Sequence, residues 1–282
     1  MIRIKNMTRG RFGNKVLQYN NLLQIASQQG VDASCDIWVG HDFFTGLVIN
    51  NPAKKQIKNL SWDNILEEEI SLLSKEYEYE IGPYCLHNIF WKVTKQDPRN
   101  FLKIDVKWKQ DLPDDKVSVG IHFRGTDILG ADGNHGREIH GFEYYKNSID
   151  AVEKEIGNVR YFLCTDDLSF DSYKRVVNYL EQKGSEFFLG DVNNYFFDFA
   201  ILSECDVLIS SSSTFVVCAG FLGKPNKKII HSQEWIDKNL NHEPWHRKPD
   251  PEWVRKMQIS FDNFWNVLYN GGNHFYKAWR WI

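Results

Sequence analysis

The sequence predicts an α/β protein whose sheets are parallel. Three observations carry this expectation. From residue 117 onward, short apolar runs rich in Val, Ile and Phe alternate with stretches of helical period. Four of these runs end in polar loops, after Phe123, Cys164, Leu189 and Ile209. The first third opens in the same manner, with an apolar run, a glycine-bearing turn and an amphipathic stretch. Strands that alternate with helices specify βαβ units, and such units lie in parallel sheet.

Taken in order, residues 2–5 read as a strand and 9–13 as a turn. Residues 14–29 follow helical period, with Val16, Leu17, Tyr19, Leu22, Leu23 and Ala26 on one stripe, and Gly30 is placed to end the helix. Asn14 is of a type that caps helices. Residues 40–60 carry Gly, Asn, Pro and Lys and read as loop, and Ser61 reads as the N-cap of a further helix. The polar stretch 92–116 holds Pro98 and Pro113, which places the domain boundary near 111–116. Strands follow at 117–123, 159–164, 186–189, 207–209 and, last, 228–231. Helices lie between them at 142–156, 168–182, 195–205 and 214–222. The expected division is 1–112, 113–260 and an aromatic segment, 261–282, that packs back on the body. Ligands of parallel sheets bind at the carboxyl ends of strands, so the four polar loops are the places to look.

Composition narrows the function. A chain of 282 residues suffices for one large domain or two of ordinary size. Apolar residues at 42% and charged residues at 25% are those of a folded soluble protein. A net charge of -3 points to no nucleic-acid surface and no strongly basic membrane patch. Aromatic residues reach 15%, with ten Trp; a large core accounts for them, and stacking against sugar C–H faces is the functional alternative. The five cysteines show no CxxC spacing, and Cys164, Cys205 and Cys218 lie in apolar runs. They read as small core residues in a reducing compartment, with no disulfide framework or zinc site. Residues 1–15 lack the apolar region of a signal peptide, and no stretch nears the roughly 18 apolar residues of a membrane helix. A cytoplasmic protein is expected, in peripheral contact with the membrane if its acceptor is lipid-linked.

Two of the loops carry groups suited to anions. In His122-Phe-Arg124-Gly-Thr-Asp127, alternation puts His122 and Arg124 on one side of a strand end. Arg offers a planar fork that fits a diphosphate, and His122 adds a hydrogen bond or a second charge. A local Arg124–Asp127 ion pair and a core histidine would give the same pattern. The run Ile209-Ser-Ser-Ser-Ser-Thr-Phe215 precedes a helix, whose hydroxyls and N–H groups form either an anion site or an ordinary cap. In Cys164-Thr-Asp166-Asp167, an acidic residue after such a strand suits ribose or base contacts. A metal-binding pair or a helix cap would read alike. The turn Gly10-Arg11-Phe-Gly13-Asn14 permits a tight bend.

Together these motifs resemble the fucosyltransferase superfamily of α1,2-, core α1,6- and protein-O-fucosyltransferases. Gly10-Arg-Phe-Gly-Asn14 is similar to the opening GxFGN turn of the protein-O- group and, with Gln18-Tyr19, to that of the bacterial α1,2- group. His122–Asp127 resembles HxRRxD, with Gly125 in place of the second Arg. Residues 198–205, followed by 209–215, resemble the family's closing helix, strand and serine loop, with Val216-Val217 where the bacterial group has aromatics. The resemblance covers most of residues 1–223.

It implies a GT-B architecture of two Rossmann-like domains facing across a cleft, an acceptor-side first domain and a second that binds the GDP-sugar. It implies no metal and no cofactor beyond the donor, GDP-β-L-fucose, and a glycan hydroxyl as acceptor, with inversion at the anomeric carbon. Arg124 and His122 would meet the diphosphate, Asp166 the guanosine, and Ser212, Ser213, Thr214 and Phe215 the phosphate side. Arg11, Gly13 and Asn14 would face the donor from the first domain. Asp127, His135, Glu138, His140 and Glu143 are candidates for a general base. A transferase of another GDP-sugar and a non-catalytic relative with the same anion site are the alternatives.

Overall fold

A computed structural model gives the fold. It describes residues 1–5, 7, 10–48, 55–60, 73–74, 76–81, 96–125, 140–211, 213–225, 227–232, 265–268 and 275–277. These form two compact units, one made by the described residues of Met1–Asp105 and one by those from Val106 onward.

In the first unit, β1 (Ile2–Ile4) lies between β2 (Ala33–Cys35) and β5 (Glu78–Ile81), and β4 (Ile57–Leu60) pairs outside β5. All three pairings are parallel, with Ile2 opposite Ala33 and Tyr79. Helix α1 (Phe12–Gln29) buries Val16, Leu17, Tyr19, Leu22, Ile25 and Ala26, the apolar stripe the sequence predicts. It ends at Gly30, whose left-handed φ of 59° lets its N–H bond back to Ala26 and Ser27. A separate antiparallel ribbon pairs β3 (Phe44–Thr45) with β6 (Lys103–Ile104).

Two expectations need correction here. The helix starts at Phe12 rather than 14, so Asn14 lies in its first turn and not at the cap position; Arg11 holds that position, in extended conformation and with no capping bond from its side chain. Gly10 explains the early start. At φ 81° it turns the chain so tightly that a Cβ there would come within 2.8 Å of Asn14 Cβ. Residues 40–60 are also not all loop, since Val39–Asp42 form a 3₁₀ turn and 57–60 form β4. Among the described residues that strand pairs on one side only, and it leaves Ile57 36% exposed, so it needs no continuous apolar run. The cap expected at Ser61 lies outside the described residues.

The second unit follows the predicted rhythm. Its strands are β7 (Val117–Phe123), β8 (Val159–Thr165), β9 (Phe187–Leu189), β10 (Val207–Ile209) and β11 (Lys228–Ser232). Helices α2 (Phe142–Ile156), α3 (Asp171–Lys183), α4 (Tyr195–Glu204) and α5 (Thr214–Leu222) alternate with them. The sheet continues past the strand expected to be last, through β12 (Trp265–Leu268), parallel to β11, and β13 (Phe275–Lys277), antiparallel to β12. The order is β13-β12-β11-β10-β7-β8-β9.

Alternation sorts the central strand onto two faces. Val119, Ile121 and Phe123 join a core with Tyr145 and Ile149 of α2 and Val176 and Leu180 of α3. Gly120 faces the other way, where a Cβ would lie 2.7 Å from Leu202 of α4. Cys164, Cys205 and Cys218 are buried free thiols, as core cysteines should be, and burial pushes Cys205 up to about 12. Among the described residues no helix is long and apolar enough to cross a membrane.

Candidate functional site

Parallel pairing sets the ends of β7, β8 and β10 side by side. His122 lies opposite Cys164, and Ile121 opposite Ile209. The chain leaving each strand therefore meets its neighbours: residues 122–125, 165–167, 210–211 and 213–215 come together.

His122 follows the parity of Gly120 and points to the α4–α5 face. Its ring stacks on Phe215, centroids 5.1 Å apart and planes 26° apart, and Phe215 meets Phe199 of α4 edge-on. His122 Nδ1 lies 2.5 Å from Ser211 Oγ. Two residues on, Arg124 Nη1 donates to Ser213 Oγ at 3.2 Å. Ser213 is the N-cap of α5, and its hydroxyl also accepts from the N–H of Phe215. It thus serves both as a cap and as the rest for the guanidinium. Thr214 and Phe215, half-buried, form the first turn of α5. A helix amino end directs N–H groups and the positive end of its dipole outward, so this corner gathers positive potential.

On the other flank, Asp166 Oδ1 accepts the N–H of Gly125 at 2.7 Å. Asp167 does different work, accepting from the N–H and hydroxyl of Ser169 to form the turn before α3. Position 125 has no room for a side chain: a Cβ would lie 2.9 Å from Asp167 Cβ and 3.1 Å from Phe170 Cβ. An Arg at position 125 would need Asp167 and Phe170 to shift.

Three supports carried no clear signal in the sequence. Tyr145 donates to the carbonyl of His122 at 3.4 Å. Tyr144 donates to the carbonyls of Ser210 and Ile230, at 2.8 and 3.2 Å. Ser211 holds the His122 ring. A pair of tyrosines in the first turn of a helix that follows a site-bearing loop was the available cue. Below them, Asp198 of α4 accepts the N–H of Asp191 at 2.8 Å, where Gly190 leaves the space. Burial raises the Asp198 carboxyl to about 7 in spite of that bond.

His140 is buried and stacks on Tyr144 at 4.1 Å, and Glu143 is exposed on α2. Asp127, His135, Glu138 and Ser212 lie outside the described residues. In the first unit, Arg11 is exposed, Gly13 buried and Asn14 half-buried at the amino end of α1. Gln18 Nε2 donates to the Asn14 carbonyl at 3.3 Å. Phe12, Trp38, Phe43 and Phe44 pack under this turn. Among the described residues no three His, Cys, Asp or Glu side chains gather as a metal site would require.

No family model matches the chain, and no curated protein matches it at a significant level of sequence similarity. Solved structures do match. POFUT1 in complex with GDP-fucose aligns over 96% of this chain and 97% of its own, with a TM-score of 0.55 and 11% identity. NodZ alpha-1,6-fucosyltransferase soaked with GDP-fucose aligns over 82% and 94%, at a TM-score of 0.53 and 14% identity. Fucosyltransferase NodZ from Bradyrhizobium aligns over 79% and 93%, at 0.50 and 14%. At such identities the likeness is one of architecture, and in architecture this chain carries the GT-B type α/β fold of these fucosyltransferases.

Proposed function

We propose that this chain is an inverting glycosyltransferase that moves fucose from GDP-β-L-fucose to a glycan hydroxyl without a metal ion. The observation that carries the reading is the Arg124–Ser213 contact, a guanidinium resting on the N-cap of α5 at the carboxyl end of a parallel sheet. The fold it shares with fucosyltransferases solved with GDP-fucose supports the choice of donor.

The chemistry follows from charge. As the anomeric bond breaks, the sugar becomes oxocarbenium-like and the leaving diphosphate gains negative charge. Arg124, the hydroxyls of Ser213 and Thr214 and the amino end of α5 would meet that charge, and they bind it more strongly in the transition state than before it. A fixed guanidinium supplies the positive charge that a metal would otherwise bring. Asp166, beside the diphosphate corner, would take the nucleoside. Arg11, Gly13 and Asn14 would act on the donor from the first unit, and Asp127 is the nearest candidate in sequence for a base. The acceptor would be met in the cytoplasm or, if lipid-linked, at a membrane surface.

Calorimetric titration with GDP and UDP in EDTA, then turnover against a panel of nucleotide sugars read by mass spectrometry, tests this. GDP should bind in preference to UDP, GDP-fucose should be consumed, and NMR of the product should show the α-anomer. Preference for UDP, or turnover abolished by EDTA and restored by a divalent ion, would overturn it.

A further inference from the structure

Ser211 is 3% exposed, and its hydroxyl sits against one nitrogen of the His122 ring. Stacking on Phe215 fixes the plane of that ring, and Tyr145 fixes its backbone carbonyl. A hydroxyl–imidazole hydrogen bond can run in either direction. If Nδ1 carries the proton, Ser211 accepts, and its own hydrogen has to find another acceptor. Among the described residues the Ser211 side chain makes no second hydrogen bond. A buried hydroxyl hydrogen left without an acceptor biases an equilibrium by about tenfold or more. If Ser211 instead donates, both groups are satisfied by the one bond.

We infer that Ser211 donates its hydroxyl proton to His122 Nδ1 and so holds the imidazole as the neutral Nε2–H tautomer. Ser211 is then a positioning residue, and the ring proton of His122 sits on Nε2. Within the proposed donor site, on which this functional consequence rests, His122 becomes a hydrogen-bond donor to the leaving diphosphate. It does not serve as a base, because the lone pair a base would use at Nε2 carries a proton. A donor gains strength as negative charge builds on its partner. The same logic explains why a serine, and not an alanine, follows Ser210: the helix is already capped by Ser213 and has no need of it.

Nitrogen NMR on protein labelled at histidine reads the tautomer directly in the free protein, at a pH above the imidazole range, with His122→Asn to assign the signal. Nδ1 should resonate as an unprotonated, pyridine-type nitrogen and Nε2 as a pyrrole-type one. Ser211→Ala should mix the two forms and lower kcat by about tenfold, the value of one hydrogen bond, and should weaken GDP, which carries the diphosphate charge in full, by a similar factor while leaving KM for GDP-fucose little changed. Ser211→Thr, which keeps the hydroxyl, should restore both the spectrum and the rate. A pyrrole-type Nδ1 in the wild-type protein overturns the inference, whether or not the alanine variant folds. That spectrum needs no donor, so the result stands apart from the GDP titration: failure to bind GDP would sink the proposed donor and leave the tautomer intact.

Discussion

The backbone N–H of Gly125 and the carboxylate of Asp166 are joined across 2.7 Å, tying the chain that leaves β7 to the chain that leaves β8. The tie needs close approach, and the approach needs a residue without a side chain. A Cβ at position 125 would press on Asp167 and Phe170. Gly125→Ala is therefore expected to cost about 1–3 kcal/mol, the usual range for overpacking, and Gly125→Arg at least as much. A urea midpoint equal to that of the unmodified protein would show that the loop yields freely.

Arg124→Ala should lower kcat for GDP-fucose by about 10²–10³, the loss typical of removing one group that stabilises developing charge. Ser213 keeps its bond from Phe215 in that variant, so the far-ultraviolet circular dichroism and melting curve should hold. Arg124→Lys should recover only part of the rate, since an ammonium lacks the planar fork. A normal rate in the alanine variant would move the leaving group elsewhere.

Asn14→Ala separates stability from chemistry. Loss of an N-cap costs about 1 kcal/mol, but Asn14 lies inside the first turn of α1, and the cap position belongs to Arg11. The variant should keep the GDP affinity of the parent and lose rate. A lower melting temperature together with an unchanged rate, corrected for folded fraction, would leave Asn14 a purely structural residue.

Asp198 gives a signed dependence on pH. Its carboxyl is raised to about 7 by burial, well above the unfolded value of about 3.9. The folded state thus holds the proton more tightly. This contribution is fully present below about pH 4 and is lost as pH rises through 7, a change of roughly 4 kcal/mol over that window. Asp198→Asn keeps an oxygen to accept the Asp191 N–H and has no charge to bury. It should match the parent near pH 4 and exceed it at pH 8 in urea denaturation. Parallel curves across that range would refute the assignment. Asp150 runs the other way. Burial alone would raise it, but bonds from Lys146, Tyr179 and Lys183 outweigh that and hold it near 2, so its contribution fades only as pH falls from about 4 toward 2.

Legibility in the sequence followed the physics of each element. Residues 117–123 could be read to the residue because a central strand buried on both faces must be apolar throughout. The edge strand at 57–60 escaped because an edge tolerates Lys and Asn. The start of α1 was placed two residues late because the turn that sets it depends on a positive φ at Gly10, and Asn14 imitates a cap. His122, Arg124 and Ser213 stood out by residue type and spacing, and the structure brings them together. Ser211 did not, because four consecutive serines look alike until the structure sets one of them against the His122 ring. Tyr144 and Tyr145 were hidden for a related reason: their partners are carbonyls on strands far away in the chain.

Those two tyrosines carry a mechanical consequence. One helical turn grips the carbonyl of His122 and the carbonyl of Ser210, so the ends of β7 and β10 are clamped to a common support. A shift of that turn would carry both strand ends with it, and with them the pairs His122–Ser211 and Arg124–Ser213. A corner built this way can keep its shape through thermal motion while the segments around it change in length and sequence.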